Sequence, residues 1–325
     1  MENIKQVTVI GAGIMGHGIA QSFLMGGFPV VLYDIESSML ERAAAKIKKN
    51  MEPFIEAGLM TRGRAEDAAG RLRTTVDLDT AVRQCDFVME AAPENLVLKQ
   101  DLFRELDQKC RQSAILATNT SSLRLKAIGE KMQNKHRLVA AHWFNPPHIV
   151  PVVEVVTSEE TSEDVFNVTF ELLEKINKVP VRINADIPGF LINRISAAMT
   201  REILHLYERG VASAEDIDRA VTGTIGFQFA SMGPLRRLDF GGLDLWLHGL
   251  THALALLDNS VQPPVALQKL VSQGHTGVKS GKGFYEYSSS FFEEEIDTAV
   301  QQRDRELIGR LARHYQKKQS SQEGE

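Results

Sequence analysis

The sequence predicts a doubly wound α/β sheet with a helical hairpin insertion, followed by an all-helical C-terminal domain. Three observations carry this. Short apolar runs alternate with helix-length stretches from Val7 to Ile183. A glycine-rich turn joins the first run to the first helix. Beyond Pro188-Gly189 the patterns are helical almost throughout.

Val7-Thr8-Val9-Ile10 is β-branched, ends at Gly11, and reads as a buried parallel strand. A helix is expected over Ile14–Met25, stopped by Gly26-Gly27, and a second strand over Pro29–Tyr33, closed by Asp34. Strand, helix and strand make one βαβ unit. Two helical stretches, Glu36–Gly58 and Thr61–Leu72, form the inserted hairpin. Further strands are expected at Asp86–Glu90, Ala114–Thr118 and Leu138–Ala141, separated by helices at Asn95–Cys110 and Leu123–Met132. Val152–Val156 and Pro180–Ile183 are late strands around a helix at Ser162–Ile176. This is a Rossmann-type order, and the expected domains are 1–187 and 188–325. In the second, helices are expected at Leu191–Arg209, Ala214–Thr222 and Gly242–Leu257. A charged helix follows at Phe291–Lys318, with Gln319–Glu325 as a disordered tail.

At 325 residues, two domains are the prior. A net charge of −5 argues against nucleic acid or an anionic membrane as partner. Two cysteines, Cys85 and Cys110, support neither a disulfide framework nor a metal site and fit a reducing compartment. Met1–Gln6 has no apolar run, and no stretch reaches the roughly 18 apolar residues of a membrane span. A cytoplasmic protein is expected.

Gly11-Ala12-Gly13-Ile14-Met15-Gly16 lies between the first strand and first helix. Gly11 permits the tight turn, Gly13 lets backbone approach a pyrophosphate, and Gly16 lets the helix pack close. With Ile14 and Met15 they open a helix N-terminus, which attracts anions. Asp34 would accept hydrogen bonds from both ribose hydroxyls and repel a 2′-phosphate, and Ile35-Glu36-Ser37-Ser38 include no cation. NAD rather than NADP is therefore predicted. Asp34 as a helix N-cap is the other reading.

His142 ends the run Leu138–Ala141, and a Pro146-Pro147 corner follows. Glu154 stands between two valines on each side, which is expensive to bury without a partner. His142 held by Glu154 reads as a general base with its orienting carboxylate, or as a structural ion pair. Ser121 follows a strand at its C-terminal end and could hold a substrate oxygen. Asn193 could lie near the domain cleft or serve as a helix-surface or capping amide.

Together these segments resemble the 3-hydroxyacyl-CoA dehydrogenase family, over nearly the whole chain. Its elements occur in the family's order: the glycine turn, Glu90-Ala91-Ala92-Pro93-Glu94-Asn95, Asn119–Ser122, His142–Pro146, Val153-Glu154-Val155, Pro188-Gly189-Phe190 with Asn193-Arg194, and Lys279–Tyr285. The resemblance implies that His142 is the catalytic base, Glu154 its partner, and Ser121 and Asn193 contacts to the reacting oxygen or carbonyl. It also implies that Glu94, Lys99, Asn145 and Lys279 touch cofactor or substrate, and that the helical domain forms a homodimer. The implied reaction is NAD-dependent oxidation of a (3S)-3-hydroxyacyl-CoA, short-chain, within fatty acid metabolism.

Three stretches depart from the acyl-CoA members. Those usually carry lysines along the hairpin, in a pattern like D-K-L-V-K-K-G-K, whereas Glu52–Gly58 has two acids and no lysine; Lys46, Lys48 and Lys49 lie upstream. After Met232-Gly233-Pro234-Leu235 the chain has Arg236-Arg237 instead of Glu-Leu. Arg236 could clamp a substrate carboxylate, or the pair could be structural. Asn145–Pro151 resembles relatives that oxidise small free hydroxy acids, such as L-gulonate and lambda-crystallin-like dehydrogenases, and His148 could touch substrate there. A CoA-free hydroxy acid is therefore a competing substrate. A crystallin-like structural NAD-binding protein is disfavoured, because His142, Glu154, Ser121 and Asn193 are all present.

Overall fold

The computed structural model describes residues 4–287 and 293–322. Strand β1 (Val7–Ile10) is buried throughout and leads into helix α1 (Gly16–Met25). β2 (Val30–Tyr33) lies parallel to it, Val7 opposite Val30. The hairpin is α2 (Ser37–Glu56) and α3 (Arg62–Gly70). Next come β3 (Leu72–Thr75), α4 (Leu78–Val82), β4 (Phe87–Glu90), α5 (Leu96–Lys109), β5 (Ile115–Thr118), α6 (Leu125–Ile128) and β6 (Leu138–Trp143). β7 (Val152–Val156), α7 (Glu163–Lys175) and β8 (Val179–Ile183) complete the α/β part. Side chains of Thr61, Asp77, Asn95 and Ser162 accept first-turn N–H groups, which sets where α3, α4, α5 and α7 begin.

The eight strands form one sheet of order β3-β2-β1-β4-β5-β6-β7-β8. All neighbours are parallel except β6 and β7. That reversal follows from the short turn after Trp143, since a parallel return needs a longer crossover. Strand residues alternate between two cores. Val7, Val9, Phe87 and Met89 pack with α1, α2 and α7, whereas Ile10, Val88 and Leu116 pack with α4, α5 and α6.

β3 and α4 were not expected. Leu72-Arg73-Thr74-Thr75 has no apolar run, is half-exposed and pairs only with β2. An edge strand needs one partner and one buried face, so its sequence signal is weak. The second hairpin helix accordingly stops at Gly70. β6 runs two residues beyond Ala141, which brings His142 inside the strand.

The chain divides into two compact units: residues 1–193 with 302–325, and residues 194–301. Neither coincides with the expected second domain, 188–325. The second unit is helical: most of α8 (Ile192–Glu208), then α9 (Ala214–Val221), α10 (Phe227–Phe229), α11 (Pro234–Gly241), α12 (Leu243–Ala253) and α13 (Val265–Ser272); of these, α10, α11 and α13 are not among the helices expected from sequence. α14 (Glu293–Gln322) groups with the first unit from Gln302 on. Its Ile308 and Leu311 are buried in the same core as Leu40, Ile47 and Phe54 of α2, and Arg305 donates to Glu56 Oε2 at 3.1 Å. Residues 319–322, expected in a disordered tail, continue this helix, whereas 323–325 and Phe291 lie outside the described residues. No helix among the described residues is long and apolar enough to cross a membrane.

His148 is buried beneath α1, its ring 6.5 Å from that of His17 and 6.3 Å from that of Phe54. Its Nδ1 has no hydrogen-bond partner. Burial first, then the charges of His17, Lys178 and Arg303, push its pKa down to about 3. Lys178 is buried alongside: its ammonium donates to the carbonyls of Pro147 (2.6 Å) and Val150 (2.9 Å), and burial pushes it down to about 7. A neutral His148 in the fold, against an ordinary 6.5 in the unfolded chain, leaves stability untouched above that value. As pH falls from there toward 3, the unfolded chain gains the proton first and the fold loses stability. His148→Leu should remove that loss, so its melting temperature should gain on the wild type as pH is lowered from about 7.5 to about 4.5. A difference in melting temperature that stays constant with pH would refute this assignment.

Candidate active site

The candidate residues cluster at the C-terminal ends of β1, β4, β5 and β6, the end at which open parallel sheets bind ligands. At the first, Gly11 has φ 94°, and a Cβ there would meet Ala91 O at 2.7 Å. A Cβ on Gly16 would sit 1.6 Å from Gly11 O, so α1 can approach the turn this closely only without a side chain. Gly13 faces open space, Ile14 is exposed, and no side chain caps α1. The backbone around Gly13 and the start of α1 can therefore receive a pyrophosphate. His17 Nδ1 lies 2.8 Å from Gly13 O; a carbonyl only accepts, so that nitrogen carries the proton.

Asp34, at the end of β2, does not cap α2; the N-cap residue is Glu36. Its Oδ2 accepts Ala12 N–H at 2.7 Å and its Oδ1 accepts Glu36 N–H at 3.1 Å. It braces the glycine turn and stays part-exposed beside it. These residues fit a dinucleotide.

Beyond β4, Glu94 organises the loop after β5. One oxygen, Oε1, accepts from Thr120 Oγ1 (2.7 Å), Ser121 N (3.0 Å), Ser122 N (2.9 Å) and Ser122 Oγ (2.9 Å). Burial alone would raise its pKa, but these bonds and the nearby Lys99 ammonium outweigh it and hold the group at about 2. Lys99 is 1% exposed, and its ammonium lies 2.5 Å from Glu90 Oε1 and 3.5 Å from Glu94 Oε2. Glu90 is equally enclosed, its second oxygen taken by Thr118 Oγ1 at 2.5 Å. Lys99 thus acts inside the protein, coupling two carboxylates beneath the loop.

At β6 and β7 the antiparallel register sets His142 directly opposite Glu154, so their side chains share a face. His142 Nδ1 lies 2.8 Å from Glu154 Oε2. Glu154 Oε1 accepts the N–H groups of Leu191 (3.1 Å) and Ile192 (2.8 Å), at the start of α8. Glu154 is fully buried and His142 is 4% exposed. An ionised carboxylate can only accept, so Nδ1 is the protonated nitrogen and Nε2 offers a lone pair. The imidazole packs against Phe144 and Phe190, with ring centroids at 4.6 and 5.7 Å.

Asn193 Nδ2 donates to Ser121 O at 3.4 Å, which brings those two predicted residues together. Ser121 Oγ is only loosely held, 3.5 Å from Glu94. Asn145 is exposed and precedes a cis bond to Pro146. Lys279 and Arg236 belong to the second unit and are exposed there; the Arg236 guanidinium lies 5.9 Å from the Phe240 ring. Sequence reasoning did not single out Phe190, the Glu90–Lys99 pair, or Asn119, whose Oδ1 accepts Trp143 N–H at 2.8 Å and ties β5 to β6. A glutamate ending the apolar run Phe87-Val88-Met89 was the available signal for a buried cation partner.

Residues 6–187 match the NAD binding domain of 3-hydroxyacyl-CoA dehydrogenase, and residues 189–287 match its C-terminal domain. The chain belongs to the 3-hydroxyacyl-CoA dehydrogenase family. It is an NAD-dependent oxidoreductase of that family, whose members act on CH–OH groups. A 5-formyl-3-hydroxy-2-methylpyridine 4-carboxylate 5-dehydrogenase of Mesorhizobium japonicum is 36% identical over 288 residues, 88% of this chain and 91% of the relative. A probable 3-hydroxybutyryl-CoA dehydrogenase of Deinococcus radiodurans is 38% identical over 281 residues, 86% and 99% of the two chains. A solved 5-formyl-3-hydroxy-2-methylpyridine 4-carboxylic acid 5-dehydrogenase superposes with a TM-score of 0.85 at 32% identity, covering 94% of this chain and 96% of that one.

Because Gly16 meets backbone rather than a movable side chain, Gly16→Ala should displace the whole turn. NADH affinity should fall on the order of tenfold or more, measured by quenching of NADH fluorescence. An unchanged dissociation constant would contradict the role given to this glycine.

Proposed function

We propose that this chain oxidises a secondary alcohol β to a carbonyl or carboxyl group, with His142 as general base and Glu154 as its orienting partner. The observation that carries this is the geometry of Glu154: one oxygen satisfied by two backbone N–H groups, the other 2.8 Å from His142 Nδ1. That arrangement leaves Nε2 as the atom to take the hydroxyl proton. The buried carboxylate then stabilises the imidazolium without leaving its own hydrogen bonds. Ser121 Oγ and Asn193 Nδ2 are the groups to hold the reacting oxygen. NAD, when bound over the glycine turn, supplies the hydride acceptor.

The substrate class that the family supports is a short-chain 3-hydroxyacyl-CoA. A second reading, a small CoA-free hydroxy acid or alcohol, is favoured by the hairpin. Glu52 takes both guanidinium nitrogens of Arg62 (3.0 and 2.9 Å), and Glu56 takes Arg305 from α14. This stretch offers a CoA phosphate paired acids rather than lysines. Arg236 is then the candidate for a free substrate carboxylate. In the second unit Phe227, Leu235, Phe240 and Leu247 are exposed, which supports a homodimer through the helical part. A cytoplasmic location fits the whole reading.

Two measurements test these proposals. His142→Gln should lower kcat about 10²- to 10⁴-fold and leave the NADH dissociation constant nearly unchanged; near-normal turnover sinks the mechanism. NADH oxidation with acetoacetyl-CoA, set beside NAD⁺ reduction by a panel of free hydroxy acids, separates the substrate readings. Efficient use of acetoacetyl-CoA removes the CoA-free one.

A further inference from the structure

We infer that Phe190 is a positioning residue for the His142–Glu154 pair, serving one partner with its ring and the other with its backbone. The inference rests on the catalytic reading of that pair. Phe190 is 1% exposed, and its ring lies 5.7 Å from the His142 imidazole at an interplanar angle of 56°. Phe144 packs edge-on against the same imidazole at 4.6 Å. Two aromatic walls therefore restrict rotation of the imidazole about its Cβ–Cγ bond, and Nδ1 stays aimed at Glu154.

The backbone of Phe190 is as informative as its ring. Its φ is 43°, in the left-handed region that a bulky residue occupies only when its surroundings hold it there. It follows Gly189 at φ 76°. These two left-handed residues turn the chain so that the next two N–H groups, of Leu191 and Ile192, meet Glu154 Oε1. The turn is anchored upstream. Phe190 N–H donates to Ile187 O at 3.1 Å, and Asp186 accepts the N–H groups of Leu125 (3.1 Å) and Lys126 (3.3 Å). Strain at one residue thus delivers a ring to the base and two donors to its carboxylate. Glycine at this position would relieve the strain and keep the turn but give up the ring.

The test reads the dyad directly and needs no substrate. The proton on His142 Nδ1, in a buried bond to a carboxylate, should give a downfield proton resonance that His142→Gln abolishes. Phe190→Gly keeps the positive φ and deletes the ring; it should broaden or erase that resonance, with NADH affinity within about threefold of wild type. Phe190→Leu restores bulk and should recover the resonance. In turnover, Phe190→Gly should lower kcat by roughly tenfold or more with KM nearly constant. In a His142→Gln background the same change should have less than about a twofold effect, because both act through one group. A resonance and kcat unchanged in Phe190→Gly would overturn the positioning role and leave the dyad standing. Equal losses of kcat in both backgrounds would overturn it too. A wild type with no His142-dependent resonance, and normal turnover in His142→Gln, would overturn the dyad itself.

Discussion

One fully buried carboxylate constrains more of this molecule than any other group. Glu154 sits in a strand of valines, where an unpartnered charge is prohibitive. Its partners come from two other segments: His142 from the neighbouring strand, and two N–H groups from the start of α8. Satisfying it fixes the register of β6 against β7, the protonated nitrogen of His142, and the point at which the helical half of the chain departs from the sheet. The antiparallel reversal belongs to the same constraint. Only a tight return after β6 could set residue 154 opposite residue 142 while keeping both at the end of the sheet where β1, β4 and β5 deliver their loops.

A second set of buried charges works in parallel. Glu90 and Lys99 neutralise each other under the site, and Glu94 sits above them with its Oε1 occupied by Thr120, Ser121 and Ser122. The two carboxylates, Glu94 and Glu154, solve different problems. Glu94 gathers a loop, and its many donors hold it ionised far below the usual carboxylate range. Glu154 takes few donors and leaves one oxygen to a titratable ring. The first arrangement is rigid by saturation, the second is selective by orientation.

Much of this was legible from residues alone, and for identifiable reasons. Strands buried on both faces read as apolar runs, so β1, β2, β4, β5 and β7 emerged almost to the residue. The glycine turn was legible because Gly11 and Gly16 answer steric demands that the structure measures, a 2.7 Å approach to Ala91 O at the first and a 1.6 Å approach to Gly11 O at the second. Glu154 was legible because its chemistry clashes with its neighbours. β3 was not, since an edge strand can be polar and is made by its partner. Phe190 was not, because an apolar residue before a helix looks like any core residue; only its φ and its distance to His142 distinguish it. The spacing points Asp34 toward a ribose; its bond to Ala12 N–H ties it to the glycine turn, a contact that spacing does not encode.

The chemistry of this chain is more legible than its substrate, and the structure gives the physical reason. The His142–Glu154 pair, the glycine turn and the Glu94 loop hang on strand ends, where partners lie in register or within a short turn. The exposed acids of the hairpin have partners both near and far in sequence: Glu52 is held by Arg62, only 10 residues on, but Glu56 reaches much further. Glu56 is neutralised by Arg305, 249 residues away, on a helix that groups with the nucleotide-binding unit after the chain has passed through the whole helical one. No local pattern announces such a pair. Its presence changes what the hairpin can attract, because an acid already bound to arginine neither repels a phosphate as a bare carboxylate would nor offers it the cation a lysine would.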